Sequence, residues 1–427
     1  MGKKILFWPD VYKEQGHWLP TFVWARDLIN KGHQVSYMGI PDCHALVKSF
    51  DESIPYYEIF NKLYPLGYTD YSHTTPQGRW QPDHLLNIMD GRLGRIFRGR
   101  NKPDVLVSGY FTSLESLAIH RIYGVKVVIT TTYLRHPEND PAMRAIQNMT
   151  AYLDPVRKDI ITSPCLEDYK IDGKIFNLRK DTVLDEFVKP LTTFHELIPC
   201  PKEFDYPHYE HGPLVHYVEP CMTPFLNDQT NGSEIDWQGL LYGDQTKKVI
   251  FATAGSQTLD YGKKAEHMFD ELIRMMDAPQ MKDCHLLLSV GEKLLRTKNW
   301  EKTKDKNITV VGWAPQRLIL SSPNIYCALI HGGLATIKEC IYYGVPFVIA
   351  PMGKDQMDNA LRLRENGIDN MVDVENSVAD CYLYSINKVK TDFRIKKNMG
   401  KMHKIFQQSE SQRTGAQIIE SVADSTN

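Results

Sequence analysis

Short apolar runs recur along the chain, each bounded by glycine, proline or charge, and most are followed by a stretch with helical spacing. Lys4-Ile5-Leu6-Phe7-Trp8 comes first and predicts a strand. Beyond Gly16, the apolar residues Leu19, Phe22, Val23, Leu28 and Ile29 fall at helical spacing until Lys31-Gly32, and His33 to Gly39 is extended again. Asp104-Val105-Leu106-Val107-Ser108 and Val127-Val128-Ile129-Thr130 continue this half. The alternation restarts at Lys247-Lys248-Val249-Ile250-Phe251 and passes through His285 to Ser289, Ile308 to Val311, Tyr326 to Ile330 and Phe347 to Ala350. Repeated strand and helix predicts two α/β halves with parallel sheets and helices on both faces, and ligands then gather at the C-terminal strand ends. Prolines and polar residues at Glu219 to Pro224 and Asn227 to Gly232 mark a linker. The predicted domains are residues 1–218 and 246–403, joined by 219–245 and followed by a helix within 404–427.

The richest chemistry lies between Trp313 and Gln356. Trp313-Ala314-Pro315-Gln316 is followed by His331-Gly332-Gly333-Leu334-Ala335-Thr336-Ile337-Lys338-Glu339, then by Gly344-Val345-Pro346, Pro351 and Asp355-Gln356. The strand ending at Ile330 turns through glycines into a helix whose apolar face holds Leu334, Ile337, Cys340 and Ile341. Its first N–H groups have no partner within the helix, and with the helix dipole they suit a diphosphate. Thr336 adds a hydroxyl and His331 a side-chain donor. Glu339, three residues past Thr336, points over the same helix end, where a carboxylate can accept from two ribose hydroxyls. Alone, His331-Gly332-Gly333 also fits a capped helix with a surface glutamate. The ordered set of ring, helix start, carboxylate and polar pair is what a nucleoside diphosphate sugar requires along its length.

This segment resembles the donor signature of the family-1 nucleotide-sugar glycosyltransferases, the UDP-glycosyltransferase superfamily. The resemblance implies the GT-B fold, two Rossmann-like domains facing across a cleft that closes to exclude water, with the donor on the second domain, the acceptor on the first, and the final helix crossing back to the first. It implies that Trp313 stacks on the uracil, the main chain at Ala314 pairs with its edge, and Gln316 sits near the ribose. His331, Gly333 and Thr336 would hold the phosphates, Glu339 the ribose diol, and Asp355 with Gln356 the sugar hydroxyls. Thr253-Ala254-Gly255-Ser256 is similar to the family's Gly-Ser loop, with Gly255 and Ser256 offering N–H and hydroxyl groups to the β-phosphate. Leu334 and Ala335 depart from the plant pattern of Trp and Asn, which points to a bacterial-type variant. A carboxylate placed for a diol favours UDP over dTDP.

At the other end, Gly16-His17, Pro20 and Gly32-His33-Gln34-Val35 resemble the superfamily's N-terminal signature, in which the first His is the general base. The three-glycine dinucleotide fingerprint is absent, which argues against NAD. A His titrating near neutrality suits removal of an acceptor proton, and the expected reaction is inversion at the anomeric carbon. No Asp-x-Asp occurs, so neither metal nor cofactor beyond the UDP-sugar co-substrate is expected. The family places an Asp at the end of a later strand to orient this His, and here that position is Gly109. Asp10, Glu14 and Ser108 are the candidate replacements; without one, a more acidic acceptor is implied.

Balanced charge, 50 basic against 52 acidic residues for a net of −2, excludes an electrostatic case for nucleic acid. Eight cysteines show no CxxC spacing, which suits a reducing compartment. The apolar part of Met1 to Pro9 is too short for a secretory signal, and no run approaches the ~18 residues of a membrane span. A cytoplasmic monomer or homodimer with at most peripheral membrane contact is expected. The basic run Arg92, Arg95, Arg98, Arg100 and Lys102 reads chiefly as a solvated helix face. Tyr56, Tyr57, Phe60, Tyr64, Tyr68, Tyr71 and Trp80 either line an apolar acceptor pocket or pack the domain. The acceptor implied is a lipophilic natural product, the sugar glucose or N-acetylglucosamine. Two other classes stay open: a UDP-sugar epimerase of the same fold, which would need no acceptor, and a non-catalytic partner of a glycosyltransferase, which would have lost the donor site.

Overall fold

The computed structural model describes residues 2–68, 84, 87–88, 91–134, 191–209, 211–222, 235–244, 246–256, 258–303 and 306–425. Two compact units form. One holds residues 1–200, 208–221 and 412–427, the other 201–207 and 222–411.

The first unit is built on seven parallel strands: β1 Lys4–Trp8, β2 Gln34–Gly39, β3 Tyr56–Glu58, β4 Val105–Gly109, β5 Lys126–Thr130, β6 His195–Ile198 and β7 Val215–Tyr217. Their order is β3-β2-β1-β4-β5-β6-β7. The order reverses direction between β1 and β4, which pair in register from Ile5↔Val105 to Trp8↔Ser108. Both strands are buried on both faces, as their continuous apolar runs require. Such a reversal opens a crevice beyond the strand C-termini. Helix α1, Gln15–Asn30, follows β1 into that crevice, and α2, Ser113–Tyr123, follows β4.

The second unit repeats the plan with five strands: β8 Lys248–Thr253, β9 Cys284–Ser289, β10 Ile308–Val311, β11 Ile325–Ile330 and β12 Phe347–Ile349. All pairs are parallel, in the order β10-β9-β8-β11-β12. Here the reversal lies between β8 and β11. Helix α3, Gln316–Leu320, follows β10; α4, Leu334–Tyr343, follows β11; α5, Gln356–Glu365, follows β12. The architecture is two parallel-sheet α/β units, as the alternation predicts.

Three features depart from the expected layout. Residues 201–207 leave the first unit because Asp205 is held in the second: Arg362, fully buried on α5, donates from Nε to Asp205 Oδ1 at 2.6 Å and lies 4.5 Å from the Tyr206 ring centroid. The terminal helix is two, α6 Phe393–Gln412 and α7 Thr414–Asp424, broken at Arg413, whose φ of +54° is left-handed. Only α7 joins the first unit. There the buried Glu219 accepts from Trp24 Nε1 at 2.8 Å and from the Gly415 N–H at 3.0 Å. A Cβ at Gly415 would lie 2.3 Å from Trp24 Nε1, so the helix start comes this close only as glycine. Finally, of the basic run only Arg95 lies in an α-helix, the four-residue Gly94–Phe97, although Arg92, Arg95, Arg98, Arg100 and Lys102 are all exposed, as a solvated face requires.

Among the described residues, no helix is long and apolar enough to cross a membrane. Cys43, Cys284, Cys327 and Cys340 are buried free thiols, and Cys200 and Cys221 are buried too, consistent with small core residues. Cys165 and the stretch 223–234 of the expected linker lie outside the described residues.

Candidate functional site

Two groups of the predicted residues assemble, one in each unit, and each lies where its sheet reverses direction. In the first unit the chain leaves β1 through Pro9-Asp10 and enters α1. Asp10 is fully buried, and His17 Nδ1 donates to its Oδ2. The Tyr12 N–H donates to Asp10 Oδ1 at 3.2 Å, and Trp18 Nε1 fixes the same turn by donating to the Tyr12 carbonyl at 2.8 Å. With a carboxylate on Nδ1, the imidazole keeps its proton there and leaves Nε2 as its acceptor atom. The His17 side chain is 17% exposed, enough to be reached by a ligand.

Of the three candidate partners, Asp10 takes the role. Glu14 stands 3.8 Å from His17 Nε2, beyond hydrogen-bond distance. Ser108 turns away, sharing hydrogen bonds with Thr112 Oγ1 at 2.7 Å and Ser116 Oγ at 2.5 Å. The reason the carboxylate is not at 109 is steric. Gly109 has an ordinary extended φ of −68°, but a Cβ there would lie 1.7 Å from the Pro9 carbonyl oxygen. The end of β1 presses on β4 so closely that only β1 has room for a side chain. Asp10, Glu14 and His17 each place one ligand atom within 4.8 Å of the others, so among the described residues they form the group that could hold a cation.

Aromatic residues border this group. Phe111 stacks on His17 with centroids 5.3 Å apart, and Tyr133 lies 6.0 Å from Phe111 and 5.3 Å from Tyr110. These three rings, half-buried at the ends of β4 and β5, were not singled out by the sequence pattern. Those that were are largely committed to packing. Phe60 stacks on the buried His84 at 4.5 Å, Tyr64 shares a 2.7 Å hydrogen bond with His84 Nε2, and Tyr56 stacks on His44 at 4.6 Å. Tyr71 and Trp80 lie outside the described residues.

In the second unit the group forms around the start of α4. Trp313 is 55% exposed, an unusual state for an indole and one that leaves a flat ring for stacking, while Ala314 beside it is buried. Glu339 is buried and already bound on both oxygens: Arg317 Nε donates to Oε1 at 2.8 Å and Gln316 Nε2 to Oε2. Gln316 also reaches Thr336 Oγ1 at 3.3 Å. Each carboxylate oxygen retains a second lone pair for a further donor. Arg317 is the residue that sequence reasoning missed; it fixes the carboxylate that the motif supplies.

His331 is 9% exposed and is gripped by glycines. A Cβ at Gly255, whose φ is +78°, would come within 2.5 Å of its Cε1, and one at Gly333 within 2.5 Å of its Nε2. Burial, aided by the charge of Lys354, lowers its pKa to about 4, so the ring is neutral near pH 7. Its Nδ1 is buried without a hydrogen-bond partner. Gly255 does not offer its N–H outward as expected, because that group donates to Thr253 Oγ1 at 3.1 Å; what the glycine supplies is room for the His331 ring. Ser256 is exposed at the tip of this loop.

Asp355 and Gln356 separate in role. Asp355 is half-buried and accepts from Asn359 Nδ2 at 3.0 Å, the same amide that reaches the Gly332 carbonyl at 3.1 Å. Gln356 is 1% exposed and spent on the protein: its Oε1 accepts from the Met352 and Gly353 N–H groups at 2.8 and 3.1 Å, and its Nε2 donates to Tyr261 OH at 2.5 Å. Expected to meet a sugar, it instead shapes the loop that carries Lys354 and Asp355.

Comparison with known proteins agrees with this geometry. Residues 290–411, which include the whole second group except Gly255 and Ser256, match the family described as UDP-glucoronosyl and UDP-glucosyl transferase. The UDP-glycosyltransferase UGT5 of Dactylopius coccus is 34% identical over 95 residues, 22% of this chain and 18% of that protein. Solanidine UDP-glucose glucosyltransferase 1 of Solanum tuberosum is 28% identical over 235 residues, 49% of this chain and 47% of that protein. The chain thus spans less than half the length of these relatives. The crystal structure of the glycotransferase of kitacinnamycin superposes with a TM-score of 0.68 over 99% of this chain and 100% of that one, at 17% identity. The fold is therefore that of the GT-B glycosyltransferases.

Proposed function

We propose that this chain, whose residues 290–411 carry the UDP-glycosyltransferase signature, is an inverting, metal-independent glycosyltransferase. It moves glucose or N-acetylglucosamine from a UDP-sugar to a nucleophilic group of a lipophilic small-molecule acceptor. The observation that carries the reading is the bond from His17 Nδ1 to the buried Asp10, which readies Nε2 as a base where a sheet reverses direction. His17 Nε2 takes the acceptor O–H proton as the oxygen bonds to the anomeric carbon. The bond from that carbon to the β-phosphate oxygen breaks on the opposite face, and UDP departs with its electron pair. The imidazolium that forms is stabilised by the Asp10 carboxylate, and the leaving charge by the N-terminus of α4. Uracil stacks on Trp313, and the ribose diol meets Glu339. The shelf of Phe111, Tyr133 and Tyr110 beside His17 favours a flat, lipophilic acceptor such as an aromatic natural product.

Calorimetric titration with UDP and dTDP, in chelator and in Mg²⁺, tests the donor half: tighter, chelator-insensitive binding of UDP is expected. Release of UDP from UDP-glucose or UDP-N-acetylglucosamine with a panel of phenols tests the base. Asp10→Asn, which removes the negative charge that holds the Nδ1 proton and stabilises the imidazolium, is expected to lower turnover by about 10²–10⁴-fold with UDP affinity unchanged. Turnover within a few-fold of the parent would refute the assignment of His17.

A further inference from the structure

A diphosphate brings at least two negative charges, and the groups so far placed around the start of α4 supply little positive charge to meet them. The helix end contributes about half a unit. His331 is neutral, since its pKa lies near 4. The guanidinium of Arg317 is bound to Glu339. Yet the site is built to receive something polar, because His331 Nδ1 is nine-tenths buried beside it with no partner.

The turn at 352–356 packs against this helix start, since a Cβ at Gly332 would lie 3.3 Å from both Cβ and the carbonyl oxygen of Gln356, and the turn carries Lys354, whose charge helps to keep the His331 ring neutral. Lys354 stands between Gly353, whose N–H is fastened to Gln356 Oε1, and Asp355, the residue that caps α5. Its backbone φ is +55°, a left-handed conformation that an L residue adopts at a cost and that glycine would adopt freely. The buried Gln356 holds that turn through three hydrogen bonds, to Met352, Gly353 and Tyr261. A lysine kept in a conformation suited to glycine, on a turn fixed by its neighbours and beside an unpartnered imidazole, indicates that its side chain is needed there.

We propose that Lys354 is the cation of the donor site, pairing with the diphosphate of the nucleotide and neutralising the charge that develops on UDP as it leaves. This deepens the donor-site reading and rests on it. The residue determines specificity for the charged part of the ligand and not for the base, so it separates UDP from uridine.

The test is calorimetric titration of the full chain with uridine, UMP and UDP in chelator, comparing the parent protein with Lys354→Met, Lys354→Arg and Lys354→Gly. Loss of one charge-assisted contact weakens UDP by about 10-fold or more in the Met and Gly variants, leaves uridine within about twofold, and is largely restored in the Arg variant. The dependence of UDP affinity on salt becomes shallower in the Met variant. Lys354→Gly also melts higher than the parent, because strain is relieved while affinity is lost. UDP affinity within about twofold of the parent in both the Met and Gly variants would overturn the proposal, and so would an equal loss for uridine. A parent protein that binds neither uridine nor UDP would refute the donor-site reading itself, and this proposal with it.

Discussion

Arg317→Ala tests how the carboxylate of the proposed donor site is held. Arg317 and Glu339 have side chains 8% and 7% exposed, 2.8 Å apart, so the pair is almost wholly out of water. Attraction between buried charges roughly offsets the cost of burying them, and the pair adds little net stability. Removing only the arginine leaves the carboxylate buried with Gln316 alone, at a cost of about 3–5 kcal/mol. Replacing both, as Arg317→Met with Glu339→Gln, removes the charge together with its partner and should return stability to within about 1–2 kcal/mol of the parent. The two units need not unfold together, so scanning calorimetry that separates transitions is the assay, supported by urea unfolding followed by circular dichroism. The double variant supplies a second reading: stable again but lacking the carboxylate, it should show no preference for UDP over dUDP, where the parent is expected to show one. A single variant within about 1 kcal/mol of the parent would show that the pair is not buried in solution as described. A double variant no better than the single would show that packing, not the unpaired charge, sets the cost.

Further outcomes follow from the same geometry. Gly109→Ala forces a methyl group to 1.7 Å from the Pro9 carbonyl oxygen, and because the obstacle is backbone the ends of β1 and β4 must part; a loss of about 3 kcal/mol or more is expected by urea unfolding, and a loss under about 1 would refute the close approach. Trp313→Ala removes an exposed ring, so stability should stay within about 0.5 kcal/mol while affinity for both UDP and uridine falls by about 10-fold or more in calorimetry. His331 has its pKa lowered from 6.5 to about 4, so the unfolded chain binds its proton first; its contribution is full above about pH 6.5 and is lost as pH falls toward 4, about 3 kcal/mol in all. Between pH 7.5 and 5, the unfolding free energy of the parent should therefore fall more than that of His331→Gln, and parallel curves would refute the assignment.

The period of the apolar residues marked most strands of both sheets, because parallel strands buried on both faces are written as unbroken apolar runs. Strands β3, β6 and β7 were not legible: at three or four residues each, with Tyr56, His195 and His216 among them, they join the sheet at its edges (β3, β7) or next to one (β6) through tertiary pairing rather than their own pattern. The residues of the proposed donor site stood out as an order along one segment, but their partners in the fold did not. Arg317 follows Gln316 directly, yet nothing in that adjacency shows that it turns back to Glu339 across 22 positions. Gln356 keeps its place in the motif while its side chain serves Tyr261 and the loop at Met352, a role set by contacts that spacing does not encode.

The orienting carboxylate shows what kind of signal was present. β1 and β4 are neighbours in register, with Trp8 opposite Ser108, so the residues just past each strand end approach the same point in the crevice. A carboxylate reaching His17 can start from either end, but the two chains approach too closely for both to carry side chains there. Glycine at 109 and aspartate at 10 are therefore one fact read on two strands: the position that loses its Cβ admits the Pro9 carbonyl, and the turn so placed delivers Asp10 to the imidazole. A glycine where a functional carboxylate is expected thus directs attention to the end of the strand paired with it. That inference needs only the strand order, in which β1 and β4 are neighbours.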